Sequence, residues 1–320
     1  MRFFLLTTMI FGSRNLLFSE EEKFLKWRKG FDSSKQEEVR EEYLKTYGLD
    51  FPSTLHKFYY LPYNDKEKFF VHEMIPEKSV AIIIFFHGYL SHSGIFKDFY
   101  EWFLKLGYHI VAVDLPGHGL SDGTRTGIDD FDTYATMVYN TYVNITNLNL
   151  PAYFVGHSTG CSAILEFIHK YKIYPSKVVF VAPLVRIILW NLASFGYSLL
   201  SNNIREIPRL RRETSRNPSY IDFIFNKDPL KYEMADVSWF GAVYRWNQKI
   251  ANYPVIEKKE FLIIQGNEDE VVDWRYNIEF LKKKLAFCNV VFIDKGKHDL
   301  LTEIDYVREF IFATIENFLY

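Results

Sequence analysis

Cysteine is nearly missing from this 320-residue chain: only Cys161 and Cys288 occur, so neither a disulfide framework nor a cysteine-rich zinc site holds it together. Both lie in apolar runs, where a free thiol behaves as a small buried hydrophobe. No apolar stretch reaches the ~18 residues that a membrane-spanning helix requires. Neither charge is in excess, with 38 Lys and Arg against 40 Asp and Glu and a net of −2. That balance excludes a protein built to coat nucleic acid, which needs a basic excess or stripe. Internal repeats and low-complexity linkers are also absent. At 48% hydrophobic and 24% charged, the chain is composed to bury a core rather than stay disordered.

What it has in plenty is aromatic side chains, 18% of residues with 30 Phe and 22 Tyr. They read either as a lipid-facing surface or, more simply, as compositional bias supplying ordinary core material. At the start, Met1-Arg2 precedes the apolar run Phe3-Phe4-Leu5-Leu6-Thr7-Thr8-Met9-Ile10-Phe11. This resembles a weak export signal without an A-x-A-like cleavage site. The expectation is a cytoplasmic protein whose first residues either pack on its body or contact a membrane reversibly, with export as the alternative. Residues 19–47 read as a charged helical region stopped by Gly48, so residues 1–54 form an N-terminal extension without recognisable chemistry.

From about residue 55 the pattern changes. Short runs rich in Val, Ile and Phe, at 80–86, 109–113, 152–155, 178–181, 261–264 and 290–293, alternate with helical candidates at 96–106, 131–144, 162–171, 274–285 and 306–319. Such βα alternation specifies an α/β fold with a mostly parallel sheet covered by helices on both faces. The interval 184–250 breaks the rhythm with no convincing strand, and it is too long for a plain crossover. It predicts a helical cap inserted into a domain spanning 55–320. The cap's Trp190, Phe195, Phe223, Phe225, Trp239, Phe240 and Trp246 either fill its own small core or line an apolar pocket.

Gly156-His157-Ser158-Thr159-Gly160 stands between a buried strand and an amphipathic helix, which is the setting of a nucleophile elbow. A bare G-x-S-x-G recurs by chance in structural turns; the flanking strand and helix make the catalytic reading the stronger one. A serine needs a base to take its proton and a carboxylate to orient that base. Of nine histidines only His298 lies well downstream of Ser158, in a loop between the last strand and the terminal helix. For the acid, the stretch after the preceding strand offers Glu268, Asp269, Glu270 and Asp273. Asp269 ranks first, and Asp273 reads as the cap of the next helix. The oxyanion donors fall to the backbone N–H of Thr159 and, after the tight turn His87-Gly88, to that of Tyr89. His87 reads as a structural residue. Asp114 and His118 have metal-capable side chains, but two such residues make no site, so no metal and no cofactor are expected.

These motifs resemble the α/β-hydrolase superfamily, specifically its monoacylglycerol lipase/lysophospholipase group, often called serine aminopeptidase-like. The resemblance runs from about residue 68 to the C-terminus. It rests on His87-Gly88-Tyr89 with His92-Ser93-Gly94, Asp114-Leu115-Pro116-Gly117-His118-Gly119 with Ser121 and Gly123, and the elbow. It continues in Asn226-Lys227-Asp228-Pro229-Leu230, Gln265-Gly266 with Asp269, and Gly296 with His298. It implies Ser158 as nucleophile, Asp269 as acid, His298 as base, and Tyr89 and Thr159 as backbone oxyanion donors. The elbow departs from the group's usual Ser-Met-Gly-Gly, reading Ser158-Thr159-Gly160-Cys161. The expected activity is hydrolysis of carboxylic esters, with a small-molecule ester or lipid as partner. One alternative is an aminopeptidase on the same triad, its substrate α-amine held by Glu233 and Asp236. The other is a non-catalytic binder, which would need none of the triad residues.

Overall fold

The computed structural model describes residues 22–33, 36–145, 148–201 and 203–320. The apolar N-terminal run read as a weak signal or membrane contact lies outside them. Helices α1 (22–31) and α2 (Gln36–Tyr47) come first, then strands β1 (Thr54–Pro62), β2 (Lys68–Pro76) and β3 (Ala81–Phe86). Next follow α3 (Lys97–Lys105), β4 (Tyr108–Val113), α4 (Phe131–Ile145), β5 (Ala152–His157), α5 (Thr159–Tyr171) and β6 (Lys177–Val181). The last sheet elements are β9 (Ile256–Gly266), α9 (Trp274–Lys284), β10 (Leu285–Ile293) and α10 (Asp305–Leu319). The strands lie in the order β1-β2-β4-β3-β5-β6-β9-β10. Strand β2 pairs antiparallel with both of its neighbours, and every other pairing is parallel. This is the α/β-hydrolase fold that the resemblance implies.

The central strands are mostly apolar because both of their faces are covered. Along β3, Ile82, Ile84 and Phe86 join the core under α4, α5 and α9, whereas Ile83 and Phe85 join the one under α3 and α10. The second core also takes Trp27, Phe31, Tyr43 and Tyr47 from the two N-terminal helices, so a good part of the aromatic surplus is core packing. Strands β1 and β2 went unread in the sequence because polar side chains interrupt them. His72 and Glu73 are buried in β2, held by His56 and by His109. Among the described residues no helix is long and apolar enough to cross a membrane.

Between β6 and β9 the chain forms the cap. It contains α6 (Trp190–Leu200), β7 (Glu206–Pro208), α7 (Pro218–Asp222) with a π-helical turn after it, β8 (Met234–Asp236) and α8 (Val237–Ile250). The expectation of a cap without strands needs correction, because β7 and β8 pair antiparallel, Glu206 opposite Asp236 and Pro208 opposite Met234. Three residues are too few to display a two-residue period, and proline is poor strand material, so the ladder left no pattern to read.

Candidate active site

Ser158 ends β5 and caps α5 with φ 50° and ψ −111°, a left-handed conformation that costs a residue with a side chain roughly 1–3 kcal/mol. The turn is pinned on both sides: the Ser158 N–H donates to the Val181 carbonyl at 2.9 Å, and the Cys161 N–H donates to the Ser158 carbonyl at 3.1 Å. The helix starts hard against β3, where a Cβ on Gly160 would stand 2.1 Å from the Phe86 carbonyl oxygen. Only glycine fits there. Cys161, the departure from the usual elbow, is buried, and its thiol donates to the Gly156 carbonyl at 3.1 Å.

The loop after β3 folds over this turn. A Cβ on Gly88 would lie 3.1 Å from that of Ser158, which puts the next residue, Tyr89, beside the serine. Among the described residues no acceptor takes the N–H of Tyr89 or of Thr159, so both donors remain available for a developing oxyanion. The ring of Tyr89 stacks on Trp239 of the cap, centroids 3.7 Å apart. His87 is structural: its Nδ1–H donates to the Gly88 carbonyl at 2.7 Å, and its Nε2 accepts from the Leu115 N–H at 2.9 Å. Burial pulls its pKa down to about 3. Asp114 is likewise engaged with the N–H groups of Ser93 and Leu120, and His118 with the Pro116 carbonyl.

Asp269 and His298 leave the adjacent parallel strands β9 and β10, whose loops are joined by Asn267 N–H to the Ile293 carbonyl and Glu268 N–H to the Gly296 carbonyl. His298 Nδ1 then meets Asp269 Oδ2 at 2.8 Å, with both side chains buried. The other carboxylate oxygen accepts from the N–H groups of Val271 and Val272, and Gln265 Nε2 supports Oδ2 at 3.1 Å. Burial alone would raise the Asp269 pKa, but His298 and the N–H donors outweigh it and the net shift is downward. For His298 burial lowers the pKa, the Asp269 carboxylate outweighs it, and the net shift is upward. Glu268 and Glu270 are exposed, while Asp273 caps α9 by accepting from the Tyr276 N–H.

Ser158 and His298 line one cavity of about 430 Å³ under the cap, together with Leu184, Ile187, Leu192 and Trp239. The Asp269–His298 hydrogen bond is formed, whereas none joins Ser158 to His298 among the described residues, a contact that often tightens only around substrate. An almost wholly apolar cavity of about 320 Å³ adjoins it, sharing Tyr89, Ile187 and Trp239. The cap aromatics divide between the two roles foreseen. Phe225 and Trp239 line the main cavity and Phe240 the second, while Trp246 is buried on Glu166 and Phe195 is exposed. Much of the apolar lining is aliphatic instead. Glu233 is paired with Lys231 at 2.8 Å, and Asp236 caps α8 through the Ser238 N–H; neither lines the Ser158 cavity.

Two supports escaped the reading of the sequence. His157 Nε2–H donates to the His298 carbonyl at 3.1 Å, holding the base's loop against the elbow; adjacency to Ser158 was the only signal for it. Asp228 in the cap accepts from His92 Nε2 at 3.0 Å and from Tyr47 at 2.9 Å. That joins cap, the loop after β3 and N-terminal helix α2 at one buried carboxylate. Burial favours the neutral forms of Asp228 and His92, but their attraction prevails, lowering the pKa of Asp228 and raising that of His92. His157, His298 and Asp299 are close enough together to share an ion, yet each already has a hydrogen-bond partner.

Comparison with known proteins places the chain in a family. The family described as "Hydrolase_4: Serine aminopeptidase, S33" matches residues 77–305. A monoglyceride lipase homolog of Monkeypox virus is 26% identical over 252 residues, covering 75% of this chain and 89% of its own. The phospholipase YtpA of Bacillus subtilis is 25% identical over 206 residues, 62% of this chain and 79% of its own. Among solved structures, a soluble variant of the Saccharomyces cerevisiae monoglyceride lipase superposes with a TM-score of 0.71 at 17% identity, over 84% of this chain and 96% of its own. The chain belongs to the serine aminopeptidase S33 family, has the α/β-hydrolase fold, and is a hydrolase of the esterase and lipase type.

Proposed function

We propose that the protein is a serine esterase for single-chain lipids, a monoacylglycerol or a lysophospholipid, working through Ser158, His298 and Asp269. The observation that carries this reading is the company Ser158 keeps: a strained elbow on the floor of a mostly apolar cavity whose wall includes His298, itself bonded to buried Asp269. His298 Nε2 takes the hydroxyl proton as Ser158 Oγ attacks the ester carbonyl. Asp269 keeps the Nδ1–H tautomer in place and stabilises the imidazolium. The oxyanion settles on the N–H groups of Tyr89 and Thr159. His298 returns the proton to the leaving alcohol, and a water activated by the same imidazole releases the acyl group from Ser158.

The adjoining apolar cavity suits an acyl chain. The aminopeptidase alternative loses its basis, because the two carboxylates that would hold an α-amine are engaged elsewhere. A chain-length series of monoacyl esters tests the reading. Each added CH₂ gains up to about 0.8 kcal/mol, roughly fourfold in kcat/KM, until the cavity is full. Preference for acetyl esters, or faster release of aminoacyl-anilides than of any ester, would refute it.

A further inference from the structure

The cap's charge differs from that of the rest of the chain. Residues 184–250 hold ten Lys and Arg against six Asp and Glu, in a protein whose net charge is −2. Between positions 205 and 216 stand Arg205, Arg209, Arg211, Arg212 and Arg216, with only Glu206 and Glu213 as acids. Two of these arginines, Arg209 and Arg212, line the cavity that contains Ser158 and His298.

Each is held without being neutralised. The Arg212 guanidinium donates to the Glu270 carbonyl at 2.6 Å, next to Val271 and Val272 of the cavity wall. That contact fixes the fork but contributes no opposing charge. The Arg209 guanidinium lies over the ring of Phe225, 5.0 Å from its centroid, and Phe225 also faces the cavity. Its backbone N–H is tied to the Glu233 carbonyl at 2.8 Å, fixing the strand end from which the side chain leaves. No carboxylate pairs with either guanidinium among the described ion pairs. Two carboxylates, Asp228 and Asp299, also line this cavity. Asp228 is bound to His92 and Tyr47, and Asp299 accepts from the Tyr220 and Thr214 hydroxyls, so neither pairs with the arginines, while Glu213 pairs with Lys297 and Glu206 with Tyr232. The Glu270 side chain is exposed.

We propose that Arg209 and Arg212 form an anion subsite in the wall of the Ser158 cavity, and that the preferred substrate is a single-chain lipid ester bearing a phosphate on its headgroup. This rests on the esterase reading above and narrows it. Guanidinium forks match phosphate oxygens in geometry and hold their charge over the working pH range. A neutral glycerol headgroup gains nothing from them, and a cationic α-amine is repelled. The acyl chain occupies the apolar end of the cavity, the ester carbonyl stands over Ser158, and the phosphate rests on the cap wall.

The test uses decanoyl esters of glycerol, glycerol 3-phosphate and glycerophosphocholine, all below their micelle concentrations so that no lipid surface is present. Wild-type protein should hydrolyse the phosphate-bearing esters with higher kcat/KM than the neutral one. Arg209→Gln/Arg212→Gln should lower kcat/KM for them about 10- to 100-fold, mainly through KM, as expected for charge-assisted hydrogen bonds, and change the neutral ester less than twofold. Arg205→Gln removes the same charge from a cap residue that lies outside this cavity, beside Asp236, and should leave the ratio unchanged. A ratio unaffected by the double substitution, or equally reduced by Arg205→Gln, overturns the subsite while the esterase reading stands. So does an effect seen only after anionic vesicles are added, which would assign the arginines to a bilayer. Wild-type protein inert towards all three esters removes both readings.

Discussion

The floor of the active site and the cap above it are built in opposite ways. On the floor, the Ser158 turn and the loops carrying Asp269 and His298 hang from neighbouring strands, and their polar groups hold one another in hydrogen bonds. The cap joins short helices through a ladder of three-residue strands and leaves Leu189, Leu192, Phe195 and Leu199 exposed along α6. Its polar core is concentrated at Asp228, where it meets His92 and Tyr47. The contrast teaches where precision is needed. Proton transfer is sensitive to displacements of about 1 Å, and the candidate reacting groups sit on a turn and short loops anchored directly to strands. Substrate choice tolerates variation and is left to the less constrained layer.

If the floor alone holds the chemistry, Ser158→Ala should cost on the order of 10⁶-fold in kcat with the fold intact. Labelling by a fluorophosphonate should vanish with it. Persistent labelling at a single site would place the nucleophile elsewhere and end the comparison.

Next in size, Asp269→Asn should lower kcat about 10⁴-fold, because His298 loses its tautomer and its counter-charge. Asp273→Asn keeps a good capping side chain and should cost about 0.5 kcal/mol or less of stability. Equal kinetic damage from the two would relocate the acid. The same pair sets the pH profile. Since Asp269 raises the His298 pKa above the ordinary 6.5 and catalysis needs neutral imidazole, kcat/KM should fall on acidification through an apparent pKa above that value. The residual activity of Asp269→Asn should fall at a lower pH than wild type. A wild-type profile flat to pH 4 would contradict a histidine base.

A stability effect sharpens the boundary between the layers. Tyr47→Phe removes one buried donor from Asp228 and should cost about 2 kcal/mol in global stability, measured by urea unfolding. An unchanged unfolding midpoint would mean that α2 lies beside the floor without bracing it.

Legibility in the sequence followed burial. Parallel strands buried on both faces appear as apolar runs, so β3, β4, β5, β6 and the buried second half of β9 were readable, while the half-exposed edge strand β10 showed only at its apolar end, 290–293. The elbow was readable for the same reason, since its motif is short and local. Strands β1 and β2 were not, because buried His56 and His72 pair with each other, Glu73 pairs with Tyr59 and His109, and all three look, residue by residue, like surface positions. The role of His157 was hidden as well. Its partner is a carbonyl 141 positions away, and no spacing rule reaches that far.

By itself, the order of residues determined the βα alternation, the candidate triad and the place of the cap, because each rests on local period or on a motif confined to a few neighbours. Only the tertiary structure decided which cap side chains face Ser158, that His157 reaches the His298 carbonyl, and that Tyr47 reaches Asp228. Those are contacts between residues far apart along the chain. They depend on how twisted strands, helices and loops settle against one another, and hydrophobic patterning dictates that packing only in its broad outline.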